Sequence, residues 1–229
     1  MKYLTLAIGI SSLLLGAPIA PAVTVTPQEM SAARGWVAAH LESPGAGKAP
    51  APPFSFVYGG RPSAELLKGW KFEQTSKILD PQRTERTLSW TDPATGLNVR
   101  CRAVEYLDFP TVEWTLYLKN TSGADTPIVE QLQALEMRLL RPDKGEFTLH
   151  HNVGSPAAVN DYQPLQTVLA PKSAKRFAGA AGKPTGGDWS YFNVEWPGQG
   201  VIVVVGWPGQ WAAQFTRDAA NGLDIRAGQ

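Results

Sequence analysis

From residue 54 onward the chain is cut into short runs whose apolar residues recur at every second position. Val112, Trp114, Leu116 and Leu118 form one face of such a run, and Glu113, Thr115, Tyr117 and Lys119 form the other. A period of two is the signature of a strand with one buried face. Similar strand candidates are Trp70–Thr75, Arg86–Trp90, Asn98–Tyr106, Ile128–Leu139, Phe147–His151, Tyr191–Glu195, Ala212–Thr216 and Leu223–Arg226. Turn signals separate them: Asp92 to Gly96, Asp108 to Pro110, Asn120 to Gly123, and Pro197 to Gly200. Many strands joined by short turns predict antiparallel sheets packed face to face. Val201 to Val205, within a candidate strand running to Gly206, is apolar on both faces. It is expected to be a central strand covered on both sides.

Composition sets bounds on this sheet protein. With 229 residues, 43% of them hydrophobic, the chain can build one sizeable core or two small ones. A formal net charge of +1 argues against nucleic acid or an anionic membrane surface as partner. Cys101 is the only cysteine, so no internal disulfide can form. Alternation with Arg100 and Arg102 puts it on the buried face of a strand, as a small hydrophobe and not a nucleophile.

The N-terminus has different grammar. Lys2, an uncharged apolar run from Leu4 to Leu15, and the small-residue site Ala20-Pro21-Ala22 form a signal-peptide pattern over residues 1–22. The run is too short to span a bilayer, which takes roughly 20 apolar residues, so no stable membrane insertion is expected. The alternative is a frayed N-terminal helix. Export to the periplasm or the exterior follows from the first reading. A helix is expected within 23–44: Thr26-Pro27-Gln28-Glu29 is a capping box with proline at the first helical position. Met30, Ala33, Trp36, Val37, His40 and Leu41 recur at helical spacing, and docking is expected through Trp36 and Met30. His40 reads as a packing residue. The Gly-, Ala- and Pro-rich stretch 45–53 reads as a linker, and 54–229 as the β domain.

Chemistry-bearing motifs are scarce. There is no Gly-x-Ser-x-Gly elbow, no Walker loop and no dinucleotide fingerprint. His150 and His151 would point to opposite faces of a strand and cannot easily share a metal, so no metal and no cofactor are expected. Asp80, Asp92, Glu105, Asp108, Glu113, Asp161, Asp188 and Glu195 show no spacing that singles out an acid–base pair. Asn120-Thr121-Ser122 is formally a glycosylation sequon and reads as a turn.

Aromatic residues carry more information. Of eight tryptophans, Trp189, Trp196, Trp207 and Trp211 crowd into one stretch, around the turn Gly206-Trp207-Pro208-Gly209-Gln210-Trp211. A flat ring with one donor suits stacking on a sugar, and core packing is the competing role. The 206–211 turn and the 183–191 loop are expected to lie together, with one of Trp207 and Trp211 turned inward and the other outward.

These residues carry a resemblance. The 206–211 turn after the apolar strand is similar to a Gly-Trp-Ser-Gly-Asn-Trp type of motif in the N-terminal domain of glycoside hydrolase family 36, with Pro208 and Gln210 departing from it. Pro53 to Gly60, Tyr106 to Trp114, and Gly182-Lys183-Pro184-Thr185 before Tyr191-Phe192-Asn193 also look like members of that group, Lys183 standing where relatives tend to have Arg. The resemblance covers about residues 53–227.

It implies an antiparallel β-supersandwich from a melibiase-like α-galactosidase, an enzyme class that cleaves terminal α-galactosides with two barrel aspartates. No barrel is present in this sequence, so no catalytic residue carries over, and the chain reads as C-terminally truncated and inactive alone. Implied partners are the catalytic (β/α)8 barrel, an α-galactoside or other glycan, and further copies of the chain. Lys183, Asp188, Trp189, Tyr191, Trp207 and Trp211 are the candidate carbohydrate or barrel contacts. A free-standing carbohydrate-binding module and a purely structural or assembly domain stay open as alternatives.

Overall fold

The computed structural model describes residues 24–45, 47–142 and 144–228, so the leader pattern over 1–22 lies outside the described residues. Helix α1 (Pro27–His40) starts at its capping box: Glu29 N donates to the Thr26 hydroxyl at 3.2 Å, and Thr26 N donates to the Glu29 carboxylate at 2.7 Å. Donors of the first turn are satisfied reciprocally. The helix docks through Val37 and Leu41, both fully buried, while Met30 and Trp36 are only half-buried. Of the expected docking pair, Trp36 packs on the core while Met30 does not, and Val37 and Leu41, four residues apart, carry the fully buried contact. Trp36 stacks on Trp114 at 5.3 Å between centroids, and His40 packs on Trp36 at 4.8 Å. His40 Nδ1 donates to the Ala51 carbonyl at 2.8 Å, and Pro50 and Pro53 are buried.

Beyond residue 54 the chain is β structure. In order come β1 (Ser55–Tyr58), β2 (Arg61–Pro62), a short helix α2 (Ser63–Leu66), β3 (Lys71–Asp80), β4 (Arg83–Thr91), β5 (Leu97–Tyr106) and β6 (Val112–Asn120). They are followed by β7 (Val129–Leu140), β8 (Phe147–Asn152), β9 (Pro164–Leu169), β10 (Ala174–Ala178), β11 (Tyr191–Trp196), β12 (Gln199–Val204), β13 (Ala212–Arg217) and β14 (Gly222–Gly228). Three antiparallel sheets result: β10-β13-β14-β7-β1-β2, β12-β11-β8-β9 and β3-β4-β5-β6. The hairpins close on their own turn chemistry. Between β4 and β5, Asp92 Oδ1 accepts from Ala94 N at 3.0 Å, and Gly96 takes φ 77°.

Two cores hold the sheets together. One lies between the β10-β13-β14-β7 part of the large sheet and the β12-β11-β8-β9 sheet, with Phe147, Phe192, Phe215 and Ile225 at its centre. The other joins β3-β4-β5-β6 to β1, α1 and α2 around Phe56, Leu88, Trp90 and Val99. Strand β7 serves both: Leu135 belongs to the first core, and Val129 and Leu132 pack on the second. At Gln131, with φ 49°, the pairing with β1 slips register. A bulge of this kind lets one strand turn its side chains toward a new layer. Trp114 of β6 touches both cores and donates from Nε1 to the Ala134 carbonyl at 2.7 Å. This is the β-supersandwich the sequence predicts.

Two points differ. Val201–Val205 is not a central strand: β12 is the edge of its sheet, with Ile202 69% and Val204 47% exposed. Apolarity on both faces here does not mean cover on both faces. Cys101 is fully buried on the inner face of β5, and burial pushes its thiol up to about 12, so it is no nucleophile. The second difference is the four strands the periodicity missed, β1, β2, β9 and β10, which are short or have few buried positions.

Candidate functional site

The Gly206–Trp211 turn leaves β12 and enters β13, while the 179–190 loop joins β10 to β11. Hydrogen bonds fasten the two together. Trp211 Nε1 donates to the Pro184 carbonyl at 2.7 Å, Gly179 N donates to the Trp211 carbonyl at 3.2 Å, and the Gln210 amide donates to the Gly179 carbonyl. Val205 N donates to the Ser190 carbonyl at 3.0 Å. On its other flank the loop receives Gly154 N at Gly187 and Ser155 N at Thr185. A Cβ at Gly154 would overlap the Thr185 carbonyl, so glycine is what permits this approach.

The six sequence candidates fall into different environments. Trp211 is 1% exposed and packs edge-on to Phe192 at 6.0 Å. It is a core ring and has no face left for a sugar or a barrel, which corrects its place among the contacts. Asp188 is also committed, its Oδ2 accepting from Ala178 N at 2.9 Å. Trp189 is half-buried between Tyr162, at 4.2 Å, and Tyr191, at 5.7 Å. Lys183, Tyr191 and Trp207 are exposed, with Trp207 lying over Gly209. Trp207, Tyr191 and Trp189 stand at one end of the β12-β11-β8-β9 sheet, because Tyr191 pairs with Val204 just before the turn.

That sheet's outer face holds groups the sequence did not bring together. His150 Nε2 meets the Glu195 carboxylate at 2.9 Å across β8 and β11. His151 points the opposite way, into the first core, where Nε2 meets the Thr167 hydroxyl at 3.1 Å and the ring lies 4.7 Å from Phe177. The histidine pair therefore does not converge, and among the described residues no group of three potential ligands could hold a metal. The alternation of Tyr191, Asn193 and Glu195 against Phe192, Val194 and Trp196 was the available signal for the outer face. Which strands flank it was not. The other carboxylates are engaged separately: Asp80 with Arg83, Glu105 with Arg86, and Asp161 with Ala158 N and Ser155. Among the described residues, no helix is long and apolar enough to cross a membrane.

His151 makes stability depend on pH. Burial, reinforced by Lys175, holds its pKa below the ordinary 6.5, with Asp188 opposing. The unfolded chain therefore binds a proton that the folded chain resists. Stability is fully present above 6.5 and is lost as pH falls below it, toward the lowered folded value. The melting temperature is expected to drop between about pH 7 and about pH 5, a window above ordinary carboxylate titration, and His151→Leu should flatten that drop. An unchanged slope in the variant would assign the drop elsewhere.

No family model and no curated sequence matches this chain. Among solved structures, it superposes on the family 36 α-galactosidase AgaA of Geobacillus stearothermophilus with a TM-score of 0.56 and 11% identity, over 81% of this chain and 28% of that one. A variant of AgaA in complex with 1-deoxygalactonojirimycin gives a TM-score of 0.57 at 12% identity and the same coverage. The α-galactosidase of Lactobacillus brevis gives 0.52 at 12% identity, over 80% of this chain and 26% of that one. In fold, then, this chain is similar to a part of the family 36 α-galactosidases, a part spanning about a quarter of their length.

Proposed function

We propose that this chain is the N-terminal, non-catalytic β domain of an exported α-galactosidase-like glycoside hydrolase. Its work is to support a catalytic (β/α)8 barrel and to line the rim of the barrel's sugar pocket. The observation that carries the reading is the superposition of four-fifths of this chain on a quarter of family 36 α-galactosidases. Trp207 supports it: a ring 51% exposed at the tip of a tight turn is the kind of apolar surface that marks a contact. Lys183 and Tyr191 are likewise exposed, and Trp189 is half-buried. A second reading, a free-standing carbohydrate-binding module, is favoured by one observation, the open concavity of mixed amide and apolar lining on the β12-β11-β8-β9 sheet.

The purified chain alone is expected to show no turnover of a chromogenic α-galactoside. Turnover that survives rigorous purification and vanishes on replacing one carboxylate would overturn the non-catalytic reading. Export rests on the leader pattern, and N-terminal sequencing of secreted protein should begin near Val23. Retention of Met1 contradicts export by that route.

A further inference from the structure

One row of side chains crosses the outer face of the β12-β11-β8-β9 sheet: Ile202, Asn193, His150 and Gln166, each the registered partner of the next. All four line an open concavity of about 350 Å³, with Tyr191 and Asn152 on the adjoining row. We propose that this concavity is a binding site for a neutral saccharide of one or two pyranose rings.

The chemistry of the lining selects that class. Its volume lies at the lower end of small-ligand sites, roughly 300–1,000 Å³. None of the ten lining residues is Lys, Arg, Asp or Glu. The neighbouring Glu195 lies outside the lining and meets His150 Nε2 at 2.9 Å. What the floor offers is amides. Asn193 and Gln166 have no side-chain hydrogen-bond partner among the described residues, and each presents donors and an acceptor together. Vicinal hydroxyls of a sugar ring demand that combination.

An aromatic wall completes the site. Tyr191 is 51% exposed at the edge of the concavity, and the edge-to-face contacts from Tyr191 to Trp189 and from Trp189 to Tyr162 extend it. The C–H face of a pyranose is apolar and fits an exposed ring face. Wall and floor are held in register: Trp189 N donates to the Asn152 carbonyl at 3.1 Å, and Asn152 Nδ2 donates to the Tyr162 carbonyl at 2.9 Å. The site is thus formed before any ligand arrives, which limits the entropy lost on binding. It is built wholly from residues of this β domain.

The test is an amide NMR titration of the chain with methyl α-galactopyranoside, methyl α-glucopyranoside, a soluble galactomannan and, as charged control, galacturonate. Saturable shifts centred on Asn152, Gln166, Asn193 and Ile202 are expected with neutral probes. Tyr191→Ala and Asn193→Ala, both at exposed positions that spare the fold, should each weaken binding roughly tenfold. Binding of the polymer alone, with neither methyl glycoside shifting a resonance, contradicts a site of one or two rings. Absence of shifts at roughly 50 mM neutral sugar, far above the millimolar range of weak sites, overturns the proposal. So does binding that survives both substitutions, or galacturonate binding more tightly than the neutral sugars. A barrel failing to associate with the chain would leave these results unchanged, so the two readings fail separately.

Discussion

Trp211→Ala is expected to destabilise the chain by about 3–5 kcal/mol, and Trp207→Ala by no more than about 0.5 kcal/mol. Two tryptophans four residues apart differ this much because of what surrounds them. Trp211 is 1% exposed, lies against Phe192, and gives its indole hydrogen to the Pro184 carbonyl at 2.7 Å. Truncation opens a cavity in the first core and leaves a carbonyl without its donor, and the two costs add. The same bond fastens the 179–190 loop, so the loop should also become more accessible to protease. Trp207 is 51% exposed and rests on Gly209. Its removal takes little from the folded chain and should act on partner binding instead. Urea midpoints at constant slope measure both. Equal losses in the two variants would mean that Trp207 is a second core ring.

Arg217→Met is expected to destabilise by about 1–3 kcal/mol, the range for removing one side of a hydrogen-bond network and leaving its acceptors unsatisfied. The Arg217 side chain is 0% exposed. Its guanidinium donates to Asp218 Oδ1 at 2.7 Å, to the Gly222 carbonyl at 3.2 Å and to the Ala220 carbonyl, and it lies 5.5 Å from the Phe147 ring. Asp218, Ala220 and Gly222 belong to the β13–β14 turn, and Phe147 to β8. Methionine keeps the aliphatic stem and loses every donor, so the buried Gly222 carbonyl loses its guanidinium partner. Lysine should recover little, because a point charge cannot serve several acceptors set in a fork. Urea unfolding of Arg217→Met with a loss under about 1 kcal/mol would show that water satisfies the turn once the guanidinium is gone.

Legibility followed locality. Helix α1 was readable because its capping box and apolar spacing lie within one stretch, although the face it buries depends on what it meets. Strand β5 was readable because Val99, Cys101 and Ala103 alternate cleanly with polar partners. Edge position was not readable for β12, since an apolar run looks the same at an edge as at a centre until the pairing order is known. Strand β9, with Leu169 its one fully buried residue, gives almost no period to detect. The 206–211 turn and the 183–191 loop could be linked by composition, but which tryptophan turned inward could not. Least legible was the row Gln166, His150, Asn193 and Ile202, whose members come together only through the register of four strands.

The central claim is that this β domain works with an α-galactosidase-type barrel, and the DNA flanking the codons for residues 1–229 tests it most directly. Sequencing that locus should find a (β/α)8 barrel encoded in continuous frame or in the adjacent reading frame. A locus with no barrel-coding frame on either side would contradict the account.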